Sequence, residues 1–228
     1  MQNSVFTIST NNIHKRIAVI IFIISAICFF NSQSQSQVTY CYPDCENDLW
    51  NPVPPAPALT HQMTLPCGEQ VTVFYRIRNA CASFWDIFIE KIQFVNGYEG
   101  GQNCGQTMTV TQMVQFVMDQ LIYDNPMQFP PTDSTKDTCI AGWRVIVGGC
   151  WHPSFPIGTG SKNNSLELPP VIDAPLGLLL PCVFIDCCVK GYVVCYHSGI
   201  KFIVLEPNNT HPGLCDYQYQ PDCYPACE

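Results

Sequence analysis

The residues best equipped for chemistry in this 228-residue chain are its cysteines. Two of them stand two positions before a histidine, as Cys150-Trp-His152 and Cys195-Tyr-His197. In a strand, positions i and i+2 share a face, so each pair could present a thiolate and an imidazole together. Combined, they would make a Cys₂His₂ ligand set for zinc or copper. A second device is a repeated tag: residues 41–46 read CYPDCE and residues 223–228 read CYPACE. Its cysteines, Cys41, Cys45, Cys223 and Cys227, could give four thiolates to zinc, work as redox pairs, or form disulfides. A redox pair normally has two intervening residues, and each tag has three.

Which of these chemistries operates depends on the compartment. His14-Lys15-Arg16 precedes an unbroken apolar run, Ile17 to Phe30, and the polar stretch NSQSQSQ follows. Basic, apolar, small is the layout of a secretory signal peptide. The run is shorter than the roughly 20 residues that a membrane span needs. Residues 1–36 therefore read as the signal, with cleavage after Ser36. Cys28 lies inside the apolar run and leaves with the signal. What remains is an even set: Cys41, Cys45, Cys67, Cys81, Cys104, Cys139, Cys150, Cys182, Cys187, Cys188, Cys195, Cys215, Cys223 and Cys227. An even set in an exported chain is a disulfide framework. Oxidation removes the thiolates that zinc, copper or a catalytic cysteine would need. No metal or other cofactor is implied, and the Cys-x-His pairs read as disulfide cysteines beside surface histidines. Adjacent Cys187 and Cys188 point to opposite faces of a strand and could clamp a sheet from both sides. Connectivity is not readable, because fourteen cysteines allow about 135,000 complete pairings.

Charge and motif exclude further classes. The chain carries 10 Lys and Arg against 18 Asp and Glu. Phosphate binding needs clustered cations, so nucleic acid is not an expected partner. No apolar run after the signal is long enough to span a membrane. Asp44, Glu46 and Asp48 alternate as in a calcium loop, but the positions for its glycine and its last glutamate hold Leu49 and Pro55. The nucleophile-elbow, zincin and phosphate-loop motifs are missing. These absences argue against an enzyme. They do not reach a hydrolase whose two acids lie far apart in the chain. Asn163 and Asn208 head N-glycosylation sequons, relevant in a eukaryotic secretory route.

The elements that must position these residues follow from periodicity. Residues 37–58 form a Cys-containing arm ending in the proline-rich spacer NPVPPAPA, which favours an extended path. Residues 59–214 form the body. In QVTVFYRIR, residues 70–78, Val71, Val73, Tyr75 and Ile77 alternate with Thr72, Arg76 and Arg78, with Phe74 the exception, as in a half-buried strand. FWDIFIEKIQF completes a hairpin, and the glycine-rich residues 95–106 read as a loop. Thr109 and Gln112 have capping-box spacing, predicting a helix over 109–123. Strands are expected over 139–150 and 178–207, with a tight turn at Ser198-Gly199. Residues 215–228 form a Cys-containing tail whose Tyr217, Tyr219 and Tyr224 suit an interaction surface. The predicted class is α+β: mostly antiparallel β hairpins with one main helix, rich in disulfides.

The function so indicated is an exported, non-enzymatic binding or structural module, in the extracellular space, at a cell surface, or in a bacterial periplasm. Its partner would be an unidentified protein or surface, or a second copy. A secreted hydrolase with an unrecognised site and a Cys/His metal protein are the alternatives.

Overall fold

The fold was described from a computed structural model, covering residues 48–155, 177–182, 187–211, 213, 215 and 223–227, all within one compact unit. The expected signal at 1–36, the tag cysteines Cys41 and Cys45, Asn163, Tyr217 and Tyr219 lie outside the described residues.

Alternating apolar residues form β1 (Leu59–Thr64), β2 (Gln70–Ala80) and β3 (Phe84–Phe94), a continuous antiparallel meander. Val71, Val73 and Tyr75 are buried with Ile87, Ile89, Ile92 and Phe94 of β3. Arg76 and Arg78, on the other face of β2, are buried as well. That second face is therefore covered, where alternation of apolar and charged residues predicts solvent. Trp50 and Asn51 lie against it: Asn51 exchanges backbone hydrogen bonds with Ile77, and Arg76 donates to the carbonyls of Pro52 and Ala56. The described part of the proline-rich arm is thus docked along β2.

Residues 97–105, read from sequence as loop, form the helix α1 (Gly97–Gly105). Glycine lowers intrinsic helix propensity by about 1 kcal/mol per residue relative to alanine, which is why the sequence hides this helix. Tertiary contact explains the composition. A Cβ on Gly101 would sit 2.4 Å from the Phe155 ring, so only glycine lets α1 approach this closely. The Cys67–Cys104 disulfide and the Glu69 carboxylate, which accepts from the Asn96 and Asn103 side chains, hold it in place. The second helix, α2 (Val110–Asp124), begins with the predicted box: the Thr109 hydroxyl accepts from the Gln112 N–H, and the Gln112 side chain accepts from the Thr109 N–H. It ends at Asn125, left-handed at φ 47°.

The remaining strands are β4 (Thr138–Gly148), β5 (Cys150–Pro153), β6 (Leu178–Pro181), β7 (Cys187–His197), β8 (Ile200–Leu205) and β9 (Tyr224–Pro225). All nine strands belong to one curled sheet. The expected series of antiparallel hairpins is corrected here, because β3 pairs with β4 in parallel. The sheet also forks. One edge of β3 bears β2; the other bears β4 along Trp85–Phe88 and β6 at Ile92 and Gln93. The first branch continues β4-β7-β8 and the second β6-β5-β9. The main core lies between the sheet and the helices, with Trp143, Val145, Val147 and Trp151 fully buried against α2 residues such as Met113, Val117 and Leu121. A smaller cluster of Trp50, Phe88, Ile146, Cys187 and Val189 covers the opposite face.

Five disulfides join described residues: Cys67–Cys104, Cys139–Cys195, Cys150–Cys215, Cys182–Cys223 and Cys188–Cys227. Cys81 and Cys187 are disulfide-bonded too. The adjacent pair does serve opposite faces: Cys188 lies in the main core and Cys187 in the smaller cluster. The C-terminal tag has a specific task. Cys223 bonds Cys182, at the end of β6, whereas Cys227 bonds Cys188, in β7. One short tail therefore ties the two branches of the fork together.

Candidate interaction surface

The sulfurs of both Cys-x-His pairs are spent in disulfides, Cys150 with Cys215 and Cys195 with Cys139. Neither is a thiolate, and the pairs sit in different branches of the sheet. His197 meets Asp137 at 2.8 Å on the surface, and His152 is exposed on β5. Among the described residues, no group of three or more His, Cys, Asp or Glu could hold a metal ion. His61 forms a second His–Asp pair with Asp124, also at 2.8 Å. Among the described residues, no hydrogen bond joins either imidazole to a Ser or Thr hydroxyl. Asn208 is exposed in the 3₁₀ turn directly after β8, and the Thr210 hydroxyl of its sequon donates to the Glu206 carbonyl.

The charged residues that sequence assigns to solvent form a buried row. Arg78, Asp86 and Arg144 are register partners on β2, β3 and β4. Asp86 is fully buried and accepts from Arg78 Nε at 3.0 Å and from Arg144 Nε and Nη2 at 2.7 and 2.9 Å. Trp50 covers the Arg78 guanidinium at 4.4 Å, and Phe84 covers that of Arg144 at 3.7 Å. This row links three strands. At the far side of the sheet, Tyr192 donates to Asp119 at 2.5 Å. Burial, with Asp119 beside it, holds that phenol well above its usual pKa. Lys201 donates at 2.7 Å to the carbonyls of Ile122 and Tyr123 in the last turn of α2, and burial lowers its pKa.

The accessible feature is β8. Among the described residues it terminates one branch of the sheet and pairs only with β7. Ser198 and Gly199, both left-handed at φ 51° and 81°, make the expected two-residue turn between them. Because Lys201 reaches α2, alternation turns Ile200, Phe202 and Val204 to the opposite face. They are 60%, 46% and 55% exposed. Leu205 and, nearby on α2, Tyr123 are exposed as well. Half of the ten large hydrophobics exposed among the described residues thus gather at this one edge. A native edge is ordinarily guarded by charge, proline or a bulge. Sequence reading finds the strand but not the exposure of its apolar residues. By contrast, Tyr224 of the tail, expected at an interaction surface, is packed against the main core. Tyr75, an apolar-face residue of β2, is buried as expected, and burial raises its pKa.

No helix among the described residues is long and apolar enough to cross a membrane. No protein-family model, curated protein or solved structure matches this chain.

Proposed function

We propose that this chain is an exported, non-enzymatic module that works by binding or assembly in the extracellular space or at a cell surface. Its disulfides hold a core-bearing body in an oxidising compartment, and its unguarded apolar strand supplies the contact. The observation that carries this reading is β8: apolar side chains exposed on a sheet edge, beside a β7 that the Cys139–Cys195 disulfide ties to β4. The five described disulfides support the compartment assignment, since such bonds persist outside the reducing cytosol.

Intact mass of the exported protein, alkylated before and after reduction, tests the compartment and the framework. The expected result is a chain beginning at Gln37 with seven disulfides and no free thiol. Several free thiols, or retention in the cytosol, would refute it. The non-enzymatic part is tested with generic ester, glycoside and peptide substrates. Turnover abolished by His61→Ala or His197→Ala would establish a hydrolase instead.

A further inference from the structure

We infer that the Cys139–Cys195 bridge is a thiol–disulfide exchange site, opened by a dithiol reductant with His197 as the proton donor; the inference goes beyond the binding reading above and does not rest on it. Attack by a thiolate needs access to a sulfur, and exposed disulfides are the labile ones. Among the five described disulfides, this one alone has an exposed member: Cys139 is exposed and Cys195 half-buried. Three of the other four contain a buried cysteine, namely Cys104, Cys223, or Cys188 with Cys227. In the fourth, Cys150 and Cys215 are both half-buried. The backbone holds the two strands together around the bridge. Cys139 and Cys195 are direct register partners, flanked by Thr138 with Tyr196 and Ile140 with Val194. The residues beside the two-residue turn, His197 and Ile200, form a hydrogen-bonded pair between β7 and β8, and such pairs alternate along a ladder. Tyr196 and Val194 therefore turn their N–H and C=O groups to β4, and the bridge occupies the non-hydrogen-bonded position between them. Opening it leaves both flanking pairs in place. The stretch it releases is short, because the ladder breaks register between Ile140 and Trp143 and sets residues 138–140 apart from the rest of β4.

The Cys195-Tyr-His197 spacing supplies the acid. Two positions apart on β7, Cys195 and His197 share a face, with Cα atoms about 7 Å apart. Asp137, two residues before Cys139, meets His197 Nδ1 at 2.8 Å. The Ser198 N–H donates to the Asp137 carboxyl and, with His197 beside it, holds that group below its ordinary pKa, so it stays a carboxylate that favours the imidazolium. On β8 the residues opposite His197 and Cys195 are Ile200 and Phe202, which carry no charge, and Lys201 reaches α2 on the other face. In the exchange, a thiolate of the dithiol attacks Sγ of Cys139, the more exposed sulfur. The Cys139–Cys195 bond breaks as the mixed disulfide forms, and Cys195 leaves as a thiolate that takes the proton of the neighbouring imidazolium. The second thiolate of the reductant then attacks its own sulfur in the mixed disulfide and releases Cys139, which takes a proton from solvent. Two electrons have passed to the bridge, which is now two thiols, and the reductant departs as a disulfide. His197 regains its proton from solvent.

Titration of the oxidised full chain with graded ratios of reduced to oxidised dithiothreitol tests this. Free thiols are trapped with N-ethylmaleimide and located by peptide mass, and circular dichroism follows the fold. Cys139 and Cys195 are expected to be alkylated at a ratio that leaves every other bridge intact and the spectrum unchanged. The rate of their alkylation under limiting dithiothreitol reads the acid. His197→Ala, a change at an exposed side chain, should slow opening by about threefold or more, because the leaving thiolate loses its cation. That wild-type advantage should shrink as pH rises through the imidazole range and the proton is lost, a dependence that a merely structural role would not produce. Another described bridge opening before Cys139–Cys195 overturns the inference, as does loss of the native spectrum when this bridge opens. So does a His197→Ala protein that opens at the wild-type rate at every pH. A bridge that resists exchange would leave the binding reading standing, since the apolar exposure of β8 and the disulfide framework are untouched by that result.

Discussion

Replacing Asp86 by Asn keeps the shape of the side chain and removes the charge on which Arg78 and Arg144 converge. The Asp86 carboxylate is fully buried, accepts three charge-assisted hydrogen bonds, and links three strands across the parallel junction of the sheet. Taking one partner from a buried ion pair costs about 3–5 kcal/mol, because the remaining charges stay desolvated. Both guanidiniums keep aromatic cover from Trp50 and Phe84, so the lower end applies, about 3 kcal/mol. For a chain of this size each kcal/mol moves the melting temperature by about 2–4 °C, giving a fall of about 6–12 °C. The assay is urea and thermal unfolding of the oxidised protein, with Asp133→Asn as the control. Asp133 is a loop residue on the surface, and that change should stay within about 0.5 kcal/mol. A companion variant, Arg78→Met with Asp86→Leu and Arg144→Met, removes all three charges together. It should recover most of the loss, since apolar replacement of a whole buried charge set is often neutral. An Asp86→Asn protein as stable as wild type would refute the claim that this row holds the three strands.

Other perturbations follow from the same contacts. Gly101→Ala drives a methyl group into the Phe155 ring and should destabilise by about 1–3 kcal/mol, read by urea unfolding. Cys227→Ser releases the tie between the tail and β7; the expected loss is about 2–5 kcal/mol, with protease cleavage beginning in the tail. The Asn103 and Asn96 amides hold the Glu69 carboxyl below its ordinary pKa. A depressed acid contributes stability above its unfolded pKa and loses it as pH falls through the native one. Hydrogen-exchange protection of α1 should therefore drop at a pH below the usual glutamate range, and Glu69→Gln should abolish that step. If the proposed signal is cleaved and takes Cys28 with it, peptide mapping without reduction should join Cys81 and Cys187 to Cys41 and Cys45, the cysteines left beside the five described pairs.

What the sequence determined by itself is what local physics controls. Alternation, broken at Phe74 where the ladder shifts register, specified β2 and β3, because an apolar face fixes which side of a strand is buried. The Thr109/Gln112 box and the Ser198-Gly199 turn each act within four residues, so both were legible. The cysteine count implied a disulfide framework for the same reason: it needs no geometry. Tertiary structure decided the rest. Which cysteines meet depends on strands brought together across the fork, so Cys223 and Cys227 find different branches. Helix α1 exists because close packing on Phe155 and a disulfide overrule its glycines. Arg78, Asp86 and Arg144 look like a solvated face until the arm covers them with Trp50. The exposure of Ile200, Phe202 and Val204 is likewise invisible in their types. Among the described residues β8 is the last strand of its branch, a property of sheet order that no local pattern encodes.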